Sequence, residues 1–337
     1  MVTIKDVARK AGVSPATVSR VINGTANVNA AKKSRILEAI GELHFEPNEV
    51  ARSLIKKVSK SIGLIIPSII NPYFNQIAEA VENTANRHGY KTILCNSNGD
   101  PEKEKAYLSS LQLNNVDGFL IVSENAGLEE LLESMPVPVV SLDRHIPGGE
   151  NQELKYSAVQ TDSYLGGQMA ARHLIDCGCR RIAHIRGPED SQIATDRVRG
   201  FQSVLNEHRM DCLILASSYT FADGLNASYR LLREHPEIDG VFAGNDLIGI
   251  SLIKAAYNEH KEIPGQLQIV GYDNILFSEL VTPSLTTIAQ PIDLIGETAA
   301  ELLLTKISGG SQKNEKIVLP IRLVERETTK RKQSERG

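Results

Sequence analysis

Between residues 61 and 273 short apolar runs alternate with helix-length stretches, and this rhythm limits the fold more than any other feature of the chain. The runs are IGLIIP (62–67), YKTILCN (90–96), DGFLIV (117–122) and VPVVSLD (137–143), each of strand length. Tyr73–His88 and Glu102–Leu113 lie between them as helices, and another helix is expected from about Leu128. After AVQTD (158–162) the plan repeats. A helix to Cys177 precedes RIAHIRG (181–187), and a helix from about Ile193 precedes LILAS (213–217); DGVFAGND (239–246) and LQIVGYD (267–273) follow, each preceded by a helix. Repeated β-α units build a parallel sheet wrapped by helices. Two such halves make a two-lobed α/β body over 61–330, and a chain of 337 residues has room for it beside a smaller unit.

That smaller unit is the first stretch of the chain. Thr3-Ile-Lys-Asp6 fits a capping box, with the hydroxyl accepting from a free helix N–H. Ile4, Val7, Ala8 and Ala11 then share one helical face, which Gly12 ends. Ser14 caps a second helix with Pro15 in its first turn, where a missing N–H costs nothing. Val18, Val21 and Ile22 face inward, and Asn23-Gly24 closes it. A third helix is expected from about Ala30 to His44, burying Ile36, Leu37, Ile40 and Leu43. Two short helices joined by a tight Gly-containing turn, with a third completing the core, make a helix-turn-helix. Its second helix is slim and polar outside, with Pro15, Ala16, Thr17, Ser19 and Arg20 facing away from the core. Such a helix enters the major groove with its N-terminal residues on base edges, arginine suiting guanine and alanine a thymine methyl.

Charge supports the division. The net charge is −4, but residues 1–60 hold eleven Lys and Arg against five acids, or +6, which leaves −10 for the rest. A basic head on an acidic body suits nucleic acid at one end only. Pro47-Asn48 breaks the third helix, and EVARSL after it forms at most two turns, too short to be stable alone. Lys56, Lys57 and Lys60 follow and suit either phosphate contacts or a charged linker.

Other classes fit poorly. MVTIKDVARK has no apolar signal-peptide core and no run is long enough for a membrane span, so a cytoplasmic protein with no membrane contact is expected. Cys95, Cys177, Cys179 and Cys212 read as unpaired thiols, since no second pair and no nearby histidine completes a zinc set around Cys177-Gly-Cys179. None of the eight histidines falls in a triad or metal pattern, and His184 inside a strand reads as structural. The glycines of YLGGQMA (164–170) open a helix without a phosphate-loop lysine or dinucleotide fingerprint. The chain is therefore expected to be no enzyme and to need neither cofactor nor metal.

Open α/β sheets bind ligands beyond the carboxyl ends of their strands. Ser68, Asn71, Asp143, Arg144, Asn245, Asp246, Asp273 and Asn274 stand there, and Asp246 is set aside as a helix cap. Aspartates accept from hydroxyls, Arg and Asn donate, and Tyr73, Phe74 and Phe221 suit the C–H face of a sugar. Recurrence of this set in both halves points to a small polyhydroxylated ligand between two lobes.

TIKDVARKAGVSPATVSRVINGT together with PNEVARSL resembles the headpiece of the lactose-repressor (LacI/GalR) family of bacterial transcription regulators, and the likeness runs through nearly the whole chain. It implies an N-terminal all-α helix-turn-helix headpiece with a hinge helix, followed by a periplasmic-binding-protein-like domain of parallel sheets. The corresponding boundaries are 1–46 for the head, 47–60 for the hinge and linker, 61–330 for sugar binding and dimerisation, and 331–337 for a disordered tail. The implied DNA-facing residues are Thr3, Ser14, Pro15, Ala16, Thr17, Ser19, Arg20, Asn23, Asn48, Ala51, Leu54 and Lys57. Leu54 would wedge into the minor groove at the centre of a pseudo-palindromic operator held by a homodimer. The body resembles ribose-binding proteins in SIINPYF, LDR, RVRGF, TFADGLN, FAGND, VGYD and TIAQP. The effector contacts so implied are Ser68, Asn71, Tyr73, Phe74, Asp143, Arg144, Arg197, Phe221, Asn245, Asp273 and Gln290. The first aromatic is Tyr73 rather than Phe, and that segment is one residue shorter than in those proteins. The resemblance thus implies a repressor that D-ribose releases from a ribose-utilisation operon. The alternatives are another monosaccharide, or a catabolite-control-type regulator whose corepressor is a phosphorylated carrier protein.

Overall fold

The computed structural model describes residues 2–24, 28–45, 58–144, 156–311 and 313–331, the side chain of Asn23 excepted. It divides into two compact units, up to Ser59 and from Lys60.

The first unit is three helices: α1 (Ile4–Ala11), α2 (Pro15–Asn23) and α3 (Ala30–Glu42). The Thr3 N–H and hydroxyl both donate to Asp6 Oδ2, at 3.0 and 2.6 Å, in the capping box that opens α1. Gly12 and Gly24 end the first two helices at φ 64°, a left-handed geometry open to glycine at little cost. Ser14 Oγ accepts from Thr17 N–H at 3.3 Å and starts α2. Val7, Ala8, Ala11, Val18, Ile36, Ala39 and Phe45 form the core. Leu37, expected inside, is 53% exposed. Ile36, Ala39, Ile40 and Leu43 already make the stripe at helical spacing, and Leu37 lies a further 100° round the axis.

The second unit holds two six-stranded sheets. The first contains β1 (Ser61–Ile66), β2 (Lys91–Asn96), β3 (Gly118–Ile121), β4 (Val139–Leu142), β5 (Ser157–Thr161) and β11 (Lys316–Leu319) in the order β11-β5-β4-β3-β1-β2, all parallel. The second contains β6 (Ile182–Arg186), β7 (Cys212–Ala216), β8 (Gly240–Ala243), β9 (Gln268–Asp273), β10 (Thr286–Ala289) and β12 (Arg322–Val324) in the order β12-β10-β9-β8-β6-β7. Only β12 runs antiparallel to its neighbour there. The first half carries α4 (Pro72–Arg87), α5 (Pro101–Leu113) and the short α6 (Glu129–Glu133). The second half carries α7 (Ser163–Asp176), α8 (Gln192–Glu207), α9 (Phe221–Glu234), α10 (Asp246–Asn258) and α11 (Leu276–Leu280).

The chain then turns back. α12 (Ile292–Ile307) leaves β10 of the second sheet and packs on the first lobe, where Ile295, Ala299 and Leu303 share a core with Ile77 and Val81 of α4. Gly296 permits the close approach, since a Cβ there would sit 2.9 Å from the Ile77 carbonyl. β11 completes the first sheet and β12 joins the second. Three segments therefore pass between lobes, after β5, after β10 and after β11. Gln290 ties two of them, its Oε1 accepting from Thr161 Oγ1 at 2.5 Å.

Candidate functional site

Side chains from both lobes converge beyond the carboxyl ends of the strands. Asn71, Tyr73, Phe74, Asp143, Arg144, Ile193, Arg197, Tyr219, Asn245, Asp273 and Gln290 line a cavity of about 20 Å³.

On the first lobe, Asn71 caps α4 by accepting from Tyr73 N–H at 3.1 Å, and Pro72 at the first helical position fixes the turn. The cap aims Tyr73 and Phe74 at the cavity, where their rings meet edge to face at 5.2 Å. The Tyr73 hydroxyl donates to Asp143 Oδ1 at 2.5 Å. Burial, then the negative Asp143 and Asp273, raise the Tyr73 hydroxyl well above its ordinary pKa, so it remains a donor. Asp143 follows β4 at φ 60°, and burial pushes its carboxyl up against the pull of Arg144, Tyr73 and Arg197. The Arg144 guanidinium lies 5.6 Å from the Phe74 ring centre and pairs with Glu124 at 3.4 Å.

The second lobe holds Arg197 in α8, 4% exposed, with Nη1 donating to the Gly244 carbonyl at 2.6 Å. Its guanidinium stacks 3.6 Å from the Tyr272 ring centre. Behind Tyr272 stand Phe242 and His184, their rings stacked at 4.4 Å, and Phe201. Arg197 reaches this place because α7 and α8 pack backbone to backbone: a Cβ on Gly167 would collide with the Arg197 carbonyl, and one on Gly200 with that of Tyr164. Of the YLGGQMA glycines, Gly167 serves this helix packing and Gly166 makes room for the Tyr272 ring. Asn245 caps α10 by accepting from Ile248 N–H at 2.9 Å and donates to the Tyr219 carbonyl at 3.2 Å. Asp273 at φ 117° accepts from Gln290 Nε2 at 2.9 Å, and burial carries its carboxyl well above the ordinary range.

Three polar atoms around the cavity, Arg144 Nε, Arg197 Nε and Tyr219 Oη, are buried without a hydrogen-bond partner among the described residues. Buried polar groups in native proteins are nearly always bonded, so each is a waiting donor.

Nine of the eleven effector residues read from the sequence line this cavity. Ser68 does not; its hydroxyl accepts from Ile70 and Asn71 N–H at 3.2 Å each and shapes the turn into α4. Phe221 does not either, being 40% exposed at the start of α9. Tyr219 and Ile193 were missed. Tyr219 follows β7, so the strand-end rule applied to that strand would have found it; an isoleucine in the first turn of a helix carries no signal.

Two further readings are corrected. Asp246 is not the cap of α10, a role Asn245 takes. Its buried carboxylate accepts from Thr287 Oγ1 at 2.6 Å and Ile275 N–H at 2.9 Å, and burial pushes it up to about 7. His173, one turn before Cys177, stands with Nε2 3.5 Å from its sulfur, so a histidine is nearby; the described residues nevertheless hold no group of three ligands fit for a metal. Lys60 is exposed, with its ammonium 4.2 Å from the Tyr90 ring centre.

On the head, Thr3, Ser14, Pro15, Ala16 and Arg20 are exposed, while Thr17 and Ser19 are half-buried. The Asn23 side chain, Asn48, Ala51, Leu54, Lys56 and Lys57 lie outside the described residues, and with them the expected hinge helix. No helix among the described residues is long and apolar enough to cross a membrane.

Residues 3–48 match the model for bacterial regulatory proteins of the lacI family, and 171–329 that for a periplasmic binding protein-like domain. The ribose operon repressor of Halalkalibacterium halodurans is 40% identical over 330 residues, 98% of each chain. A lac repressor dimer bound to operator and an anti-inducer superposes with a TM-score of 0.88 at 27% identity, covering 97% of this chain and 99% of that one. A LacI-family regulator from Enterococcus faecium with bound ribose superposes with a TM-score of 0.72 at 31% identity, covering 81% and 100%. The likeness to the Halalkalibacterium repressor spans the helical head and the two-lobed body alike, and the chain belongs to the LacI family of bacterial regulatory proteins.

Proposed function

We propose that the protein is a homodimeric transcriptional repressor that binds a pseudo-palindromic operator and is released from it by a small neutral sugar, D-ribose. The observation that carries the effector half is one cavity lined by Asp143 and Asp273 together with three buried donors that lack a hydrogen-bond partner among the described residues, Arg144 Nε, Arg197 Nε and Tyr219 Oη. Sugar hydroxyls both accept and donate, so one polyol meets both needs, while the rings of Tyr73 and Phe74 receive its C–H faces. The ribose operon repressor relatives and the ribose-bound regulator support the choice of sugar. On the head, exposed Pro15, Ala16 and Arg20 at the start and middle of α2 support base reading in the major groove.

The mechanism follows from the place of the cavity: a sugar in it touches side chains of both lobes, which three crossovers join. Sugar then binds one lobe arrangement better than the other, and that difference in affinity is all it has with which to weaken DNA binding. Leu54 and its neighbours would carry the change to the operator.

The test is an operator titration by fluorescence anisotropy with and without D-ribose, at fixed salt because phosphate contacts make affinity salt-dependent. Operator affinity should fall on adding ribose. Arg144→Ala should keep operator affinity and weaken the ribose response by at least about tenfold, the value of a charged hydrogen bond. A response that survives unchanged would remove Arg144 from the site, and no effect of ribose on the natural protein would sink the sugar assignment.

A further inference from the structure

We propose that Glu124 is an anion built into the cleft, and that it makes the site choose a neutral effector over a phosphorylated one. The inference deepens the reading above and rests on it.

Glu124 follows β3, and its carboxylate collects three donors from both lobes. Oε2 takes Arg144 Nη1 at 3.4 Å; Oε1 takes Ser191 Oγ at 3.2 Å and Ile193 N–H at 3.0 Å. Ser191 is the cap of α8 and Ile193 its second residue, so the carboxylate sits at the positive end of a 16-residue helix, where anions are stabilised. Arg144 and Ile193 also line the cavity, which places this carboxylate directly behind the ligand wall.

The position is held firmly. Ser123 donates to Glu104 Oε2 at 2.8 Å and its Oγ accepts from Asn125 N–H at 3.1 Å, while Asn125 Oδ1 accepts from Gly127 N–H at 3.0 Å. Glu124 is thus fixed from both sides in sequence, and its side chain is only 13% exposed.

A guanidinium, a hydroxyl and a helix N–H converging on one point form the donor set that recognises phosphate. This chain fills that set with its own carboxylate. A sugar phosphate must displace a tethered group that never leaves the site, and must do so facing Asp143 and Asp273 as well. A neutral polyol meets neither obstacle.

The experiment is calorimetric titration of the full-length protein, Glu124→Ala and Glu124→Gln with D-ribose, ribose 5-phosphate and inorganic phosphate, with circular dichroism to verify folding. The Ala variant should raise the ratio of ribose 5-phosphate to ribose affinity by about tenfold or more, the scale of one anion at a partly buried helix start. It should also bind inorganic phosphate that the natural protein rejects. The Gln variant, which keeps the bulk and removes the charge, should show a smaller gain in the same direction and carries the test if the Ala variant does not fold. An unchanged ratio in both variants, or natural protein that takes phosphate as tightly as they do, overturns the proposal. If ribose binds no form while phosphate still separates the variants from the natural protein, the choice of ribose falls and the role of Glu124 stands. Binding of no probe to any form overturns both.

Discussion

The two lobes share a sheet plan but hold their cleft residues in different ways. In the second lobe the contacts run to fixed backbone: Arg197 to the Gly244 carbonyl, Asn245 to Ile248 N–H and the Tyr219 carbonyl. Beneath Arg197 lies a packed column of Tyr272, Phe242, His184 and Phe201. In the first lobe Asn71 also holds backbone, the Tyr73 N–H, but Tyr73 and Arg144 bond side chain to side chain, to Asp143 and Glu124. Glu124 in turn reaches across to α8. A side-chain pair rearranges by rotamer changes, whereas a bond to sheet or helix backbone moves only with its whole element. The second lobe is therefore the rigid half of the site and the first the adjustable half.

The largest effect expected from this contrast is at Arg197. Arg197→Met strips the buried Gly244 carbonyl of its charged donor, a loss of about 1.5–3 kcal/mol. Thermal unfolding should drop by several degrees and ribose binding by more than about a hundredfold. A variant as stable as the natural protein would break the claim that this lobe is the rigid half.

A middle-sized test uses two buried groups of the same lobe. Burial lowers His184 to about 3 from 6.5, so between those values the unfolded chain binds a proton that the folded chain refuses, and stability rises with pH. Burial raises Asp246 to about 7 from 3.8, so there the folded chain keeps a proton that the unfolded chain releases, and stability falls as pH rises. The two slopes oppose each other where the windows overlap. Calorimetric melting at about pH 4.5 and pH 7 should show His184→Gln losing stability toward pH 7 and Asp246→Asn gaining it, each by a few degrees. Slopes of equal sign in both variants would contradict the assignment.

The smallest effect should be at Phe221. Its ring is 40% exposed and does not line the cavity, so Phe221→Ala should change ribose affinity by less than about threefold, within the range of an exposed contact. A loss above tenfold would show that ring moving onto the ligand and would make the second lobe adjustable as well.

The sequence disclosed most where local chemistry decides structure. Ser14, Pro15, Gly12 and Gly24 mark the ends of the first two helices because capping and positive φ act within four residues. Apolar runs located the central strands because both their faces are covered, as the uniformly buried β3, β4 and β8 show, while β10, β11 and β12 were not read. Asn71, Asp143, Arg144, Asn245 and Asp273 were legible because strand ends face ligands in such folds, whereas Arg197 and Gln290 were named only through the family resemblance. Long-range events were not legible. Nothing in IDLIGETAAELLLTKI tells that α12 returns to the first sheet's core, and nothing near Glu124 tells that its partner is the start of α8, some seventy residues on. Asp246 misled because an acid in the first turn usually caps in water, whereas here it is wholly enclosed.

The three passages between lobes also bear on how the molecule can be made. The first lobe needs α12 and β11, so it stays unfinished until residue 319 has left the ribosome, although its first strand emerged some 250 residues earlier. During that interval the apolar edge of β5 awaits its last neighbour, and a nascent chain stalled before that point would present it to other proteins.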